Sequence, residues 1–300
     1  MKLFAVLLLL GMFSLSVAEV VDSFKDTCPQ FFIRDKKNRA VPPTVTSRPK
    51  YRQICQFYKG DYRFATLYDT KFKIPVYSAY TYSFTESGDI KGPWDWKIEP
   101  QLDDPNKGED MKTEEEEKEL GYRFQAQKKD YENTSYTMGH VFPRSYARSD
   151  PHKESTFTLT NAAPQTEDSN KQWVEKVEEE MLKKIKGNCD RNSFVYIVSG
   201  VVPGDKKWLP ITREVGGETI DHGVNIPSHF WTAYSCKSKK KRSENVSNAY
   251  IAEQITPLFP ENLTVDKLNK CLRSLYEDDQ FSVFGKIKQK QDKGKFNDEL

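Results

Sequence analysis

Five cysteines, Cys28, Cys55, Cys189, Cys236 and Cys271, all follow an apolar leader, and that arrangement constrains the chain more than any other feature. Met1-Lys2 opens the sequence, Leu3 to Leu15 is apolar, and Ser16-Val17-Ala18 offers a small-residue cleavage site. A basic start, a short apolar run and an A-x-A-like end describe a secretory signal peptide over residues 1–18. The run is too short to span a bilayer comfortably, and no later segment reads as a spanning helix. The mature chain is expected to begin near Glu19 and to fold in an oxidising compartment. Cys28 and Cys55 enclose a short, proline-containing segment and are the expected disulfide pair. Two of Cys189, Cys236 and Cys271 form a second bridge on this reading, and the odd one stays open. Sequons at Asn133, Asn245 and Asn262 agree with export and mark glycosylation sites. The tail Asn297-Asp298-Glu299-Leu300 is similar to an ER-retention signal without its first-position Lys or His. The expected location is secreted, with the ER lumen as the second choice.

Aromatic residues make up 13% of the 300 positions, which excludes a disordered chain. Lys plus Arg number 46 against 44 Asp plus Glu, so bulk charge neither demands nor excludes a polyanionic partner. Residues 19–50 read as irregular, broken by Pro29, Pro42, Pro43 and Pro49. Tyr62 to Tyr68 and Ile74 to Phe84 read as strands, with a hairpin turn at Asp69-Thr70-Lys71. Residues 101–121 are acidic and read as a solvated loop or a short exposed helix. Thr156 to Thr160, Ser193 to Val202 and Phe230 to Tyr234 read as further strands. Trp173, Val177, Met181 and Ile185 recur every fourth residue and predict a helix over Ser169 to Lys186. Val265 to Tyr276 reads as another helix. Strands on both sides of a long helix, without regular alternation, predict an α+β fold with an antiparallel central sheet flanked by helices. The expected partition is a domain over residues 19–236, including the N-terminal disulfide segment, followed by a basic loop and C-terminal extension over 237–300.

Four histidines are few enough to weigh singly. Met138-Gly139-His140-Val141-Phe142-Pro143 is followed by Thr158-Leu159-Thr160-Asn161-Ala162-Ala163-Pro164-Gln165, Asn170-Lys171-Gln172-Trp173 and Glu178. In order, that is a base, an amide leaving a strand, an amide at a helix entry and a carboxylate on the helix. With Phe64-Ala65-Thr66-Leu67-Tyr68, Ile74-Pro75-Val76-Tyr77 and Asn225-Ile226-Pro227, this set resembles the DNA/RNA non-specific endonuclease family of the ββα-metal superfamily, over roughly Cys28 to Cys236.

The resemblance implies a ββα-metal motif and a secreted, metal-dependent phosphodiesterase that cuts DNA, with RNA as a second substrate class. His140 would deprotonate the attacking water, since a neutral imidazole titrates near working pH. Asn170 would be the direct ligand to Mg²⁺, with Mn²⁺ as a substitute, because magnesium prefers oxygen and keeps most of its water. Asn161 would orient the histidine or the substrate phosphate, and Glu178 would hold water on the ion. Eight residues of helix rise about 12 Å. Either Asn170 therefore lies in a non-helical lead-in, or Glu178 acts only through water. Arg144, Gln165, Lys183 and Lys184 would contact the nucleic acid through its phosphates, with no nucleotide cofactor and no membrane span. Thr137 and Met138 stand where the family carries Asp-Arg, and Leu182 where bacterial members carry an arginine. These departures motivate a second reading: a catalytically weakened nuclease-fold glycoprotein acting as an extracellular binding or defence protein.

Simpler roles stand beside these. His140 alone would read as a structural histidine, Asn170 as a helix N-cap and Glu178 as part of a solvated face. His229 reads as core, His152 and His222 as loop residues, and Lys237 to Arg242 as a solvated loop. Cys28, His140 and Asn161 follow a papain-like order, but Cys28 lacks the sequence context of that nucleophile. HExxH, P-loop and GxSxG motifs are absent from the sequence.

Overall fold

The strands follow period-two alternation, and it settles where each side chain goes. They are β1 (Val20–Val21), β2 (Tyr51–Tyr58), β3 (Asp61–Asp69), β4 (Ile74–Tyr82), β5 (Tyr136–His140), β6 (Ala162–Thr166), β7 (Val195–Val202), β8 (His229–Lys237), β9 (Asn245–Glu253) and β10 (Glu261–Leu263). This is a computed structural model, and it describes residues 19–85, 92, 94–118, 121–210, 213–215, 217–220 and 223–285. The expected leader, His222 and the tail 297–300 lie outside the described residues. Eight strands form one sheet in the order β1-β2-β3-β4-β7-β8-β9-β10. Every pairing in it is antiparallel.

Both faces of this sheet are buried. Val195, Ile197 and Val201 of β7 join one core cluster, whereas Val198 and Val202 join the other. In β8, Phe230, Tyr234 and Cys236 oppose Trp231 and Ala233 in the same way. The first face carries the β5–β6 pair and a continuous helix, α2, over residues 167–188. The second is covered by Phe24, Phe31 and Phe32 and by helix α3 (Val265–Leu275) through Leu268 and Leu272. This is an α+β fold with an antiparallel sheet between helical layers.

Two disulfides tie the layers to the sheet. Cys28–Cys55 pins the N-terminal segment to β2, as expected, and Cys189–Cys236 ties the end of α2 to β8. Cys271, on α3, is free and exposed. No helix among the described residues is long and apolar enough to cross a membrane.

Three expectations are corrected. The sheet does not end at Cys236: β9 pairs along the whole of β8, and β10 adds the next strand. Of the basic segment, Lys237 ends β8, and Ser238 to Arg242 lie in the hairpin turn to β9, so residues 245–263 add strands to the same sheet. Thr156 to Thr160 is not a strand but a one-turn helix end and a 3-10 turn, Leu159–Asn161. Its alternation reports buried hydroxyls: Thr158 and Thr160 both donate to Glu99 Oε1, at 2.7 and 2.9 Å. Finally, α2 begins at Glu167, capped by Thr166, whose Oγ1 accepts from the Ser169 N–H at 3.3 Å.

Candidate active site

Strand β5 delivers His140 at its last position, opposite Ala162 of β6. One step earlier, Gly139 is required by close approach: a Cβ there would stand 2.5 Å from Gln165 Oε1. The turn after His140 is locked by Asn161. Its Oδ1 accepts from the Phe142 N–H at 2.9 Å and from Ser78 Oγ at 3.0 Å, while its Nδ2 donates to the carbonyls of Phe142 and Thr156. The Val141 N–H donates to the Asn161 carbonyl at 2.9 Å. Asn161 is thus fully buried and spends its amide on backbone and on Ser78, so it positions the chain beside His140.

The His140 ring packs against Trp96 and Phe157, at centroid distances of 4.8 and 4.6 Å, and those two rings also touch each other. Its Nε2 is buried and has no hydrogen-bond partner. Burial, with the Arg144 charge second, pushes its pKa down to about 4. The imidazole is therefore neutral at physiological pH, with a lone pair able to accept a proton.

Helix α2 follows β6 directly, completing a strand-strand-helix unit. It contains α-helix Glu167–Trp173, a π-turn at Val174–Glu178 and α-helix Glu179–Asn188. The π-turn explains the spacing of four. With about one residue inserted, twelve residues complete three turns and eight complete two. Trp173, Val177, Met181 and Ile185 all stay in the core, and Asn170 and Glu178 come to one face. Asn170 is inside the helix, not in a lead-in, so Glu178 remains about 12 Å further along the axis. Burial, with the Glu179 charge second, pushes Glu178 up to about 8.

These side chains meet at a cavity of about 600 Å³, lined by His140, Arg144, Arg148, Lys153, Asn170 and Glu178 among others. Arg148 and Lys153 were not singled out from the sequence. Their signal was the spacing: Arg144 and Arg148 lie four and eight residues after His140, and Lys153 follows on helix α1 (Asp150–Ser155). Other expected contacts are elsewhere. Gln165 is buried behind Gly139. Lys183 is exposed and paired with Glu180 at 2.6 Å, and Lys184 lies over the Tyr250 ring. Neither lysine lines the cavity, because each projects from the helix beyond Glu178.

The donors present suit a hard divalent cation. The Asn170 Nδ2 lies 3.5 Å from Thr137 Oγ1, its one hydrogen bond, so the amide oxygen is left for a ligand. Among the described residues no group of three or more His, Cys, Asp and Glu gathers to hold a metal, which excludes a zinc-type cage there. One amide oxygen, with the Glu178 carboxyl about two turns further along the helix, fits an ion that retains most of its water, such as Mg²⁺.

"Endonuclease domain-containing 1 protein" of Homo sapiens is 31% identical over 214 residues, covering 70% of this chain and 38% of the relative. Its Mus musculus counterpart is 27% identical over 216 residues, with the same coverage of 70% and 38%. The chain therefore spans well under half the length of these curated relatives. A chain of the crystal structure of the EndoG/EndoGI complex aligns with 73% of this chain and 83% of its own length, at 14% identity and a TM-score of 0.46. Residues 50–276 match the family described as DNA/RNA non-specific endonuclease, so the chain belongs to that family.

Proposed function

We propose that the protein is an exported, metal-dependent phosphodiesterase that hydrolyses DNA, and RNA as a second substrate class, with little sequence specificity. The observation that carries this reading is the unpartnered, neutral His140 nitrogen in a cavity shared with Asn170, Glu178 and three cationic side chains. A buried polar atom without a partner calls for an explanation, and a proton acceptor awaiting water supplies one. His140 takes the proton of the attacking water, with its ring packed edge-on against Phe157 and at a tilt against Trp96. Asn161 keeps the strand end in register by holding both backbone groups of Phe142. Arg144, Arg148 and Lys153 neutralise phosphate charge, which carries no base information, so specificity is low. Glu178 orients water at the far end of the cavity. Mg²⁺ or Mn²⁺, held by the Asn170 amide oxygen, would supply charge stabilisation for the leaving oxygen.

Export is supported by two disulfides and by the exposure of all three sequon asparagines, Asn133, Asn245 and Asn262. The test is digestion of plasmid and single-stranded RNA by the purified mature chain, with Mg²⁺, with EDTA, and beside His140→Ala. Metal-dependent cutting should fall by about 10²–10⁴ in His140→Ala. Intact substrate across Mg²⁺, Mn²⁺ and Ca²⁺, from protein shown to be folded, overturns the reading.

A further inference from the structure

We propose that Arg148 is the phosphate-gripping guanidinium of this site, replacing the cation that helix α2 does not offer at Leu182. The inference rests on the nuclease reading above and names the residue that meets the scissile phosphate.

Leu182 lies one turn past Glu178 and packs against the core cluster, so the helix presents no charge there. Arg148 comes instead from the segment between β5 and helix α1. It lines the cavity with His140, Asn170 and Glu178, and it is half-buried. Its guanidinium lies 4.0 Å over the centre of the Tyr82 ring, and its Nε is buried without a hydrogen-bond partner. Arg144, in the same cavity, likewise rests over a ring, Trp94, at 4.3 Å, and Arg191 lies over Phe84 at 5.9 Å; several other arginines behave differently. Arg39, Arg63 and Arg242 each pair with a carboxylate, and Arg48, Arg52 and Arg273 donate to carbonyls. Among the described residues Arg148 has no such acceptor.

The position is also braced. Tyr146, two residues before, donates its hydroxyl to the Glu178 carbonyl at 2.7 Å and meets the Tyr82 ring edge-on at 5.8 Å. Tyr82, Tyr146 and the helix thus form one scaffold under the guanidinium. A cation resting on a ring face keeps its in-plane N–H groups for another acceptor. The fork geometry of a guanidinium matches two phosphate oxygens at once, whereas an ammonium is a point charge.

The experiment compares wild type, Arg148→Lys, Arg148→Met and Arg148→Ala of the full mature chain, with melting curves for each. Arg148→Met keeps the aliphatic packing on Tyr82 and removes only the charge. Cutting of a defined oligonucleotide should lose about 10²–10³ in kcat for Met and Ala. Lys should restore part of it, and added guanidinium ion should rescue Ala more than Met. In a His140→Ala background, the slope of log binding constant against log salt on duplex DNA should shrink by about 0.9 for the Ala variant. Folded Arg148→Met with wild-type kcat and an unchanged salt slope overturns the proposal. If wild type itself does not cut, the nuclease reading fails, while the salt slope still decides whether Arg148 grips phosphate.

Discussion

The two faces of the central sheet bury similar apolar side chains but treat polar groups in opposite ways. Behind the sheet, Trp231 Nε1 donates to the Tyr276 hydroxyl at 3.1 Å, and that hydroxyl donates to the Val201 carbonyl at 2.7 Å. The Val283 N–H reaches Asn269 Oδ1 at 2.8 Å, and Thr46 gives both its N–H and its hydroxyl to Asp278. Even the glycine there serves packing: a Cβ at Gly200 would collide with the Trp231 ring and the Val76 carbonyl. On the site face, His140 Nε2, Arg148 Nε and Gln165 Nε2 are buried without partners. Among the described residues, no such orphan belongs to the cluster around Trp231. Satisfied polar groups stabilise; unsatisfied ones cost about 1–3 kcal/mol each and persist where something else is meant to bind. One face therefore satisfies its polar groups, and the other leaves several unpaired, as the proposed substrate site needs.

The largest break of that comparison is Trp231→Ala, which empties the rear core and should cost about 3–5 kcal/mol in urea unfolding. Activity per folded molecule should hold. A parallel loss of kcat in the folded fraction would mean that the faces are not separable. Tyr276→Phe is smaller. It leaves Trp231 Nε1 unpaired and should cost about 1–3 kcal/mol, again without effect on cutting.

A finer test uses pH on the site face. Burial, with the Arg63 charge second, pushes His152 down to about 4, and its ring meets Phe142 at 5.2 Å. Above pH about 6.5 both folded and unfolded states carry it neutral. Between about 6.5 and 4 the unfolded chain binds a proton that the native state refuses, so stability falls as pH falls. Partial exposure discounts the effect to about 1–2 kcal/mol. His152→Gln should flatten that acid limb in a series of melts from pH 7.5 to pH 4, while leaving rear-face variants on the wild-type curve shape. An unchanged limb would show that other groups carry it.

Much of the fold was legible because its signals are local. The β-rich composition of Tyr62 to Tyr68 and Ile74 to Phe84, with turn residues between, marks the β3–β4 hairpin, whose turn is closed by Asp69 Oδ1 accepting from the N–H groups of Lys71 and Phe72. The spacing of four in α2 was a stronger signal than it looked, since only an inserted residue keeps it on one face. Thr156 to Thr160 misled because alternating hydroxyls mimic a half-buried strand, and their common acceptor, Glu99, lies about sixty residues away.

The sequence by itself determined the Cys28–Cys55 link, because a short enclosed segment suffices for it, while the strand-strand-helix unit and the His140, Asn170 and Glu178 set came from the ordered motifs that resemble the nuclease family. Only the tertiary structure decided which cations share the cavity. Arg148 enters it by resting on Tyr82, sixty-six residues earlier in the chain, while Lys183 and Lys184 leave it by one turn of helix. Electrostatic grip depends on distances across the fold, and those follow from how the sheet packs against α2, not from any spacing along the chain.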